Sequence, residues 1–226
     1  MSERILVFDM DGVLTDVADS YRETICRTVE HFTGRAITRE LVQTYKNQGG
    51  WNNDWALSRK IAADLGVDVD YDTVTAHFQR LFLGNGADGL ILRERWLPEP
   101  GLLERLGASY RLAIFTGRGK PEAGLTLDRF AARRLFDPVV GSDDIVNGKP
   151  APDGLLLIAS RHPDSRLWYV GDTVDDARSA RAAAVPFIGI ASPSSHRVEE
   201  LRALFRREEA IAILDQVNQI ETVLES

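Results

Sequence analysis

Four aspartates in two short acidic clusters are the residues of this chain best suited to chemistry. Asp9 and Asp11 flank a methionine and precede Gly12. Asp172 and Asp176 follow another apolar stretch much later in the chain. Carboxylates that crowd together repel one another, and a hard divalent cation such as Mg²⁺ removes that repulsion while also binding phosphate oxygens. The two clusters therefore predict a magnesium site that receives a phosphorylated molecule.

The pair Asp9 and Asp11 fits the needs of a nucleophile and a proton donor. With a reference pKa of about 3.9, Asp9 is expected to be ionised at neutral pH and able to attack phosphorus directly. Asp11 lies two residues further on. It could protonate the leaving alkoxide and then activate the water that opens an aspartyl phosphate. We therefore predict Asp9 as the nucleophile and Asp11 as the general acid and base.

Groups that would bind an anion follow other apolar stretches of this acidic chain. Lys149 lies in a Gly-Lys-Pro loop and supplies a positive charge. Thr116 offers a hydroxyl and Gly117 a backbone N–H, and both suit phosphate oxygens. Arg118 follows them directly, so it is a further candidate for substrate contact, with a surface position as the alternative. The backbone amides after Asp9 can also form an anion-binding loop.

The elements that position these groups alternate between strands and helices. Short continuous apolar runs are typical of parallel strands buried on both faces, and helical periodicity fills the intervals between them. The strands are predicted at 5–8, 111–116, 138–141, 167–170, 185–190 and 211–214. We therefore predict an α/β fold, a Rossmann-like parallel sheet flanked by helices, in which the candidate residues meet at the carboxyl edge of the strands.

The stretch 16–95 interrupts this alternation. Apolar residues recur at helical spacing from Tyr21 to Phe32, and Thr38 is predicted as the N-cap of the helix that follows. Further helices are predicted at 56–65 and 73–83. No strand is predicted within it. We therefore predict an α/β catalytic core formed by residues 1–15 and 96–226, and an inserted all-helical domain formed by residues 16–95.

Residues 46–55 carry the most open question in the helical domain. They are rich in amides, glycine and tryptophan and show no periodicity, which predicts an irregular loop. Lys46 and Asn47 could bind a polar substrate, and we predict them as substrate contacts. The alternative is a plain connection between helices whose tryptophans pack in the domain core.

Composition excludes several classes of function. The 226 residues carry a net charge of −7, so general affinity for nucleic acid is not expected. Cys26 is the one cysteine, which rules out an internal disulfide and agrees with a reducing cytoplasm. Charges interrupt every long apolar stretch, so no signal peptide or membrane span is predicted. We expect a soluble cytoplasmic protein without a membrane partner.

Four short motifs resemble those of a known superfamily. D-M-D-G-V-L-T-D, T-G-R, G-K-P and G-D-T-V-D-D, in this order, are similar to the motifs of the haloacid dehalogenase superfamily. The likeness is stronger to its subfamily I phosphatases, the phosphoglycolate-phosphatase-like group. It covers nearly the whole chain, and it implies that the helical domain is the cap which that group carries after its first motif.

The resemblance also implies a role for each motif residue. Asp9 would be nucleophile and Mg²⁺ ligand together, and Asp11 would be the acid and base and bind Mg²⁺ through its main-chain carbonyl. The other implied site residues are Asp172 and Asp176 at the metal, and Thr116, Gly117 and Lys149 at the phosphoryl group. The implied activity is Mg²⁺-dependent hydrolysis of a small phosphorylated metabolite through an aspartyl-phosphate, by a monomer or homodimer.

Two other functions stay open at this point. A phosphomutase of the β-phosphoglucomutase type shares all four motifs and differs in passing the phosphoryl group to a sugar hydroxyl. A non-catalytic sugar-phosphate-binding module would need no acid–base group, so the presence of Asp11 argues against it, as it also does against dehalogenation. Phosphoglycolate, sugar phosphates and histidinol phosphate all remain possible substrates.

Overall fold

The chain divides into two compact units. A computed structural model describes residues 3–224. One unit, here called the α/β unit, consists of Met1–Thr15 and Trp96–Ser226. The other, the helical unit, consists of Asp16–Arg95. That the helical unit serves as a cap remains a prediction.

The α/β unit is built on one parallel sheet. In chain order the strands of the described residues are β1 (Arg4–Phe8), β2 (Thr15–Asp16), β3 (Arg95–Trp96), β4 (Arg111–Phe115), β5 (Val139–Val140), β6 (Arg166–Gly171), β7 (Phe187–Ile190) and β8 (Ala212–Leu214). Six of these form a sheet in the order β5-β4-β1-β6-β7-β8, with all neighbours parallel. The predicted α/β fold with a parallel sheet is therefore confirmed.

Helices are the other main elements of the described chain. Within residues 3–224 the α-helices are α1 (Tyr21–Thr33), α2 (Arg39–Gln48), α3 (Asp54–Asp64), α4 (Tyr71–Leu83), α5 (Leu102–Gly107), α6 (Lys120–Arg129), α7 (Asp153–Arg161), α8 (Val174–Ala182), α9 (Val198–Arg207) and α10 (Glu221–Leu224). None of these helices is both long and apolar enough to cross a lipid bilayer.

Strand β1 is apolar from Ile5 to Phe8 because both of its faces are covered there. Leu6 and Phe8 pack into the core on one face of the sheet, and Ile5 and Val7 pack into a separate core on the other face. All four side chains are fully buried. Successive side chains of a strand point to opposite faces, so a strand between two helical layers must be apolar at every position.

The sheet reverses its direction of growth at β1. From β1 the sheet continues through β4 to β5 on one side, and the chain then returns to place β6 on the other side. Phe8 at the end of β1 lies opposite both Ile114 and Val170 in register. Ligands of open α/β sheets bind outside the carboxyl ends of the strands at such a reversal. The residues that follow β1 and β6 are therefore placed at one crevice.

The helical unit has a core of its own. The ring of Tyr21 in α1 lies 4.0 Å from the ring of Phe82 in α4, and Phe78 packs beside both. Thr38 caps α2 by accepting a hydrogen bond from the backbone N–H of Leu41, as its sequence position predicted. These contacts give the unit a separate apolar centre.

Three predicted boundaries are wrong. Residues 46–55 are not one loop, because α2 continues through Gln48 and α3 already begins at Asp54. The side chain of Asn53 accepts hydrogen bonds from two backbone N–H groups and so starts α3 before its apolar periodicity begins. Two-residue strands lie at the two ends of the segment 16–95, where no strand was expected. Helical periodicity also predicts one helix over 123–135, but α6 ends at Arg129.

Candidate active site

A tight turn after β1 presents the first pair of carboxylates. The backbone N–H of Asp9 donates to the carbonyl of Val170 at 2.8 Å, which extends the pairing of β1 with β6 by one residue. The carbonyl of buried Met10 then accepts from the backbone N–H of Thr15 at 2.9 Å. Gly12 inside the turn has φ of +73°, a conformation that L side chains rarely adopt. The turn therefore fixes Asp9 and Asp11 at the strand end.

Lys149 joins Asp9 to the acidic cluster of the fourth motif. Its ammonium lies 2.8 Å from Oδ1 of Asp9 and 2.7 Å from Oδ1 of Asp176, and all three side chains are buried. Burial alone would lower the pKa of Lys149, but the charges of Asp176 and Asp9 outweigh it and raise that pKa above its ordinary range. The lysine is therefore a fixed positive charge at this site.

The two acids that share Lys149 have pKa values shifted in opposite directions. Burial raises the pKa of Asp9 to about 7, because the opposing attraction of Lys149 does not offset it and nearby Asp176 and Asp11 add repulsion. The expectation that Asp9 is simply ionised at neutral pH is therefore corrected. An additional positive charge beside Asp9 would favour its carboxylate form.

Asp176 is held on both oxygens. The backbone N–H and the hydroxyl of Thr173 donate to its Oδ2 at 2.9 and 2.6 Å, and the hydroxyl of Tyr169 donates to its Oδ1 at 2.7 Å. Burial would raise the pKa of Asp176, but Lys149 and these hydrogen bonds lower it below its usual value. Thr173 and Asp176 also form the capping box of α8. Asp176 is therefore an anchored anion that orients Lys149.

Three carboxylates lie close enough to share a cation. Oxygens of Asp9, Asp172 and Asp176 all lie within 4.8 Å of one another. A Cβ atom on Gly12 would overlap the carboxylate of Asp172, so the turn after β1 packs directly against this acid. Hard carboxylate oxygens are the donor set that suits Mg²⁺. The residues present therefore fit the cofactor that the sequence predicted.

The second motif contributes a polar strand end. Thr116 is fully buried and its backbone N–H donates to Val140 at 3.0 Å, while Gly117 is exposed. Arg118 is buried, and its guanidinium donates to Oδ1 of Asp11. The alternative of a surface position for Arg118 is therefore wrong, and its contact with substrate stays a prediction.

Lys46 and Asn47 lie in the helical unit. Lys46 is buried and forms an ion pair with Asp54. The side-chain oxygen of Asn47 accepts from Gln43 at 2.8 Å, and its Nδ2 is buried without a hydrogen-bond partner among the described residues. Their assignment as substrate contacts stays a prediction.

Sequence reasoning did not assign roles to several supporting residues. Thr173 stands three residues before Asp176, which is the spacing of a capping box, so this contact was readable from the sequence. Tyr169 and Thr126 reach Asp176 and Arg118 only through the tertiary fold, and the sequence holds no local signal for them. Asp54 lay in the segment interpreted as a loop, so its pairing with Lys46 was hidden.

Comparison with known proteins places the chain in a family. The family model described as haloacid dehalogenase-like hydrolase matches residues 3–184. An imidazoleglycerol-phosphate dehydratase of Phytophthora nicotianae is 33% identical over 200 residues, which are 84% of this chain and 44% of that protein. The chain thus spans less than half the length of that relative.

Two further likenesses extend over most of both proteins. A phosphoglycolate phosphatase of Salmonella typhi is 28% identical over 206 residues, covering 83% of this chain and 81% of that protein. The crystal structure of a predicted phosphoglycolate phosphatase from Haemophilus somnus 129pt superposes with a TM-score of 0.78 at 17% identity, over 99% of each chain, which supports the fold. In agreement with its four motifs, this chain belongs to the haloacid dehalogenase-like hydrolase family.

Proposed function

We propose that this hydrolase is a Mg²⁺-dependent phosphatase that acts on a small phosphorylated metabolite through an aspartyl-phosphate on Asp9. The observation that carries the proposal is the position of Asp9, which is almost fully buried at the end of β1 and ion-paired to Lys149, with Asp172 and Asp176 beside it. A nucleophile, a fixed cation and an acid cluster at one crevice are the parts that phosphoryl transfer needs. Likeness to phosphoglycolate phosphatases supports the same activity.

The first half of the reaction forms the covalent intermediate. A carboxylate oxygen of Asp9 attacks phosphorus, and the bond from phosphorus to the leaving oxygen breaks. Asp11 gives a proton to that oxygen, so the product leaves as a neutral alcohol. Lys149 compensates the negative charge of Asp9 and of the incoming phosphoryl group. Thr116 and Gly117 would hold the phosphoryl oxygens that do not react.

The second half releases phosphate. Asp11, now a carboxylate, takes a proton from water as the water oxygen attacks phosphorus, and the bond to the Asp9 oxygen breaks. Asp9, Asp172 and the main-chain carbonyl of Asp11 would hold Mg²⁺, with Asp176 organising its surroundings. When bound there, Mg²⁺ supplies the positive charge that neutralises the acid cluster and the phosphoryl oxygens.

Two substrate classes are supported by particular relatives. Phosphoglycolate is the first candidate, since it is the substrate in the name of the relatives that match most of their length. The second is a phosphate monoester that carries an imidazole, such as histidinol phosphate. The name of the Phytophthora nicotianae relative, imidazoleglycerol-phosphate dehydratase, points to that chemistry.

The test is phosphate release from a panel of phosphoglycolate, histidinol phosphate, a sugar phosphate and p-nitrophenyl phosphate, with Mg²⁺ and with EDTA. We expect Mg²⁺-dependent release by the native protein, and its loss by several orders of magnitude in Asp9→Asn. Asp128→Asn is the matched control. It removes an exposed carboxylate paired with Arg133, and because surface pairs of this kind contribute little to stability it should leave release unchanged.

Two further measurements separate the proposal from its alternatives. Mass spectrometry of the acid-quenched reaction should find the phosphoryl group on the peptide that contains Asp9. In ¹⁸O-labelled water, a phosphatase incorporates the label into phosphate, whereas a phosphomutase returns an isomeric sugar phosphate without it. Absence of phosphate release from the whole panel, together with tight binding of one member, would instead establish a binding module.

A further inference from the structure

Arg118 is an almost completely buried arginine next to the candidate acid. Its side chain is 1% exposed, whereas the side chain of Asp11 is 28% exposed. Removing a guanidinium from water costs several kcal/mol unless well-placed partners compensate it. Arg118 therefore needs well-placed partners in order to remain buried, and those partners indicate its role.

Two donors of the guanidinium meet one oxygen of Asp11. Nε of Arg118 lies 2.8 Å and Nη2 lies 2.5 Å from the same Oδ1. Charge-assisted hydrogen bonds from two donors hold that one oxygen firmly in place. Since the turn after β1 fixes the backbone of Asp11, a fixed Oδ1 also sets the torsions of its side chain. The other oxygen of Asp11 is therefore left in a defined direction, on a side chain that still reaches solvent.

The far side of the guanidinium is itself anchored. Nη1 donates to the hydroxyl of Thr126 in α6 at 2.7 Å, and Nη2 approaches the hydroxyl of Thr15 at 3.3 Å. The hydroxyl of Thr15 in turn donates to the carbonyl of Met10 inside the turn after β1. The second motif and the first-motif turn are thus tied together through one side chain.

We propose that Arg118 is a positioning residue that acts through Asp11: it holds Oδ1 so that the second oxygen of Asp11 faces the leaving group and later the attacking water. The proposal rests on the proposed function, in which Asp11 is the acid and base. A lysine would be a poor substitute, since a single ammonium lacks the planar fork that meets Asp11 and Thr126 together.

The test compares leaving groups. An alkoxide needs a proton from Asp11 in order to leave, whereas p-nitrophenolate leaves without one. In Arg118→Met we expect kcat/KM for an alkyl phosphate to fall by about 100-fold, the low end of what positioned acid–base catalysis contributes, and kcat/KM for p-nitrophenyl phosphate to fall only a few-fold. Arg118→Lys should recover part of the loss for the alkyl phosphate.

A double-mutant cycle shows whether Arg118 acts through Asp11. In an Asp11→Asn background, the further change Arg118→Met should leave kcat/KM for the alkyl phosphate unchanged, because the positioned group is already gone. Arg133→Met removes an exposed arginine that pairs with Asp128 and serves as the control for loss of a guanidinium. This variant should change kcat/KM for neither substrate.

The outcomes distinguish failure of the inference from failure of the proposed function. Suppose that Asp11→Asn lowers kcat/KM more for the alkyl phosphate than for p-nitrophenyl phosphate, but that both Arg118 variants lower kcat/KM equally for the two substrates. Arg118 then only supports the fold, and the inference is wrong. If Asp11→Asn itself affects the two substrates equally, Asp11 is not the acid, and the inference is wrong together with that part of the proposed function. Urea unfolding of Arg118→Lys verifies that the fold is intact.

Discussion

Asp9 and Asp176 share one lysine but differ in how strongly their charges are stabilised. Asp176 receives hydrogen bonds from Thr173 and Tyr169 in addition to the ion pair with Lys149, and its pKa is lowered. Burial dominates at Asp9, whose pKa is raised to about 7. The structure thus keeps the proposed nucleophile as the less stabilised of two buried acids, and that has a cost in folding stability which can be measured.

The first prediction concerns Asp9→Asn in metal-free protein. Between about pH 4 and pH 7 folded Asp9 keeps a proton that the unfolded chain has released, so stability falls as the pH rises through this window. Asparagine has no such proton. At pH 8 we expect the free energy of unfolding of Asp9→Asn to be higher than that of the native protein by a few kcal/mol. The reason is that the pKa of Asp9 is raised from 3.8 to about 7, and each pKa unit corresponds to about 1.4 kcal/mol.

Urea unfolding in EDTA at pH 8 and pH 5 measures this difference. The advantage of Asp9→Asn should shrink at pH 5, where native Asp9 is already protonated in the folded state. Asp128→Asn, which alters an exposed acid, should show no such gain at pH 8. An equal difference between Asp9→Asn and the native protein at both pH values would show that burial does not raise the pKa of Asp9.

At the scale of elements, the turn after β1 depends on one glycine. Gly12 has φ of +73°, and a Cβ atom there would overlap the carboxylate of Asp172. Gly34, which ends α1, has a similar φ of +66° but faces open space. Both Gly→Ala changes should cost roughly 1–2 kcal/mol of stability from the left-handed conformation alone.

The two glycines therefore predict different functional results. Gly12→Ala should displace Asp172 and raise the Mg²⁺ concentration needed for half-maximal phosphate release by at least about tenfold, the low end for disturbed support of a metal ligand. Gly34→Ala should leave that concentration unchanged. Mg²⁺ titration of phosphate release measures both variants. If the two variants gave the same Mg²⁺ dependence, the contact between Gly12 and Asp172 would have no part in metal binding.

The elements were predictable where local chemistry determines them. Continuous apolar runs identified the strands, and the hydroxyl of Thr38 identified a helix start. The break after α6 was not predictable, because Ala131 is a strong helix former that adopts φ of +54° only in its tertiary setting. The start of α3 was not predicted because the side chain of Asn53 caps the helix before its apolar periodicity begins. Strong local signals in the sequence were therefore sufficient to predict an element, whereas tertiary packing overrode the weak ones.

Lys46 offers a test of the open question about the helical unit. It is buried and paired with Asp54, whose side chain is 11% exposed, so Lys46→Met leaves a nearly buried carboxylate without its cation. Loss of one partner of a buried pair costs about 3–5 kcal/mol, and Lys46→Met with Asp54→Leu should regain most of it. Urea unfolding measures both variants.

The double variant also decides whether Lys46 binds substrate. If the lysine contacts substrate, as the sequence predicts, KM should stay several-fold higher than in the native protein even after stability returns. A normal KM in the stable double variant would assign Lys46 to folding alone. Thr44→Ala, which removes a hydroxyl bonded to the carbonyl of Glu40 on the same helix, is the control for changes that only loosen α2.

At the scale of the whole molecule, the candidate residues of the four motifs come from four segments of the α/β unit that are far apart in sequence. Their meeting point was predictable, because parallel strands place their carboxyl ends at one edge. Their distances were not predictable. That Lys149 bridges Asp9 and Asp176, or that Arg118 turns toward Asp11, depends on side-chain packing which no motif records.

The last prediction uses the division into two units. A ligand that binds only the folded state stabilises it by about 2.7 kcal/mol at one hundred times its dissociation constant. Because Asp9 and Asp172 directly follow β1 and β6, Mg²⁺ should slow hydrogen exchange at the amides of those strands, including the Asp9 N–H bonded to Val170. The amides of α1 and α4 belong to a unit with its own core and should not respond.

Hydrogen exchange with and without Mg²⁺, read by mass spectrometry of peptides, makes this comparison. Asp172→Asn should abolish the effect on β1 and β6, because it removes one of the acids proposed to hold the ion. Protection that spread equally over both units, or that persisted in Asp172→Asn, would place Mg²⁺ elsewhere and remove the metal from the proposed site. Protection confined to β1 and β6 would identify their shared crevice as the place where the cation and the nucleophile meet.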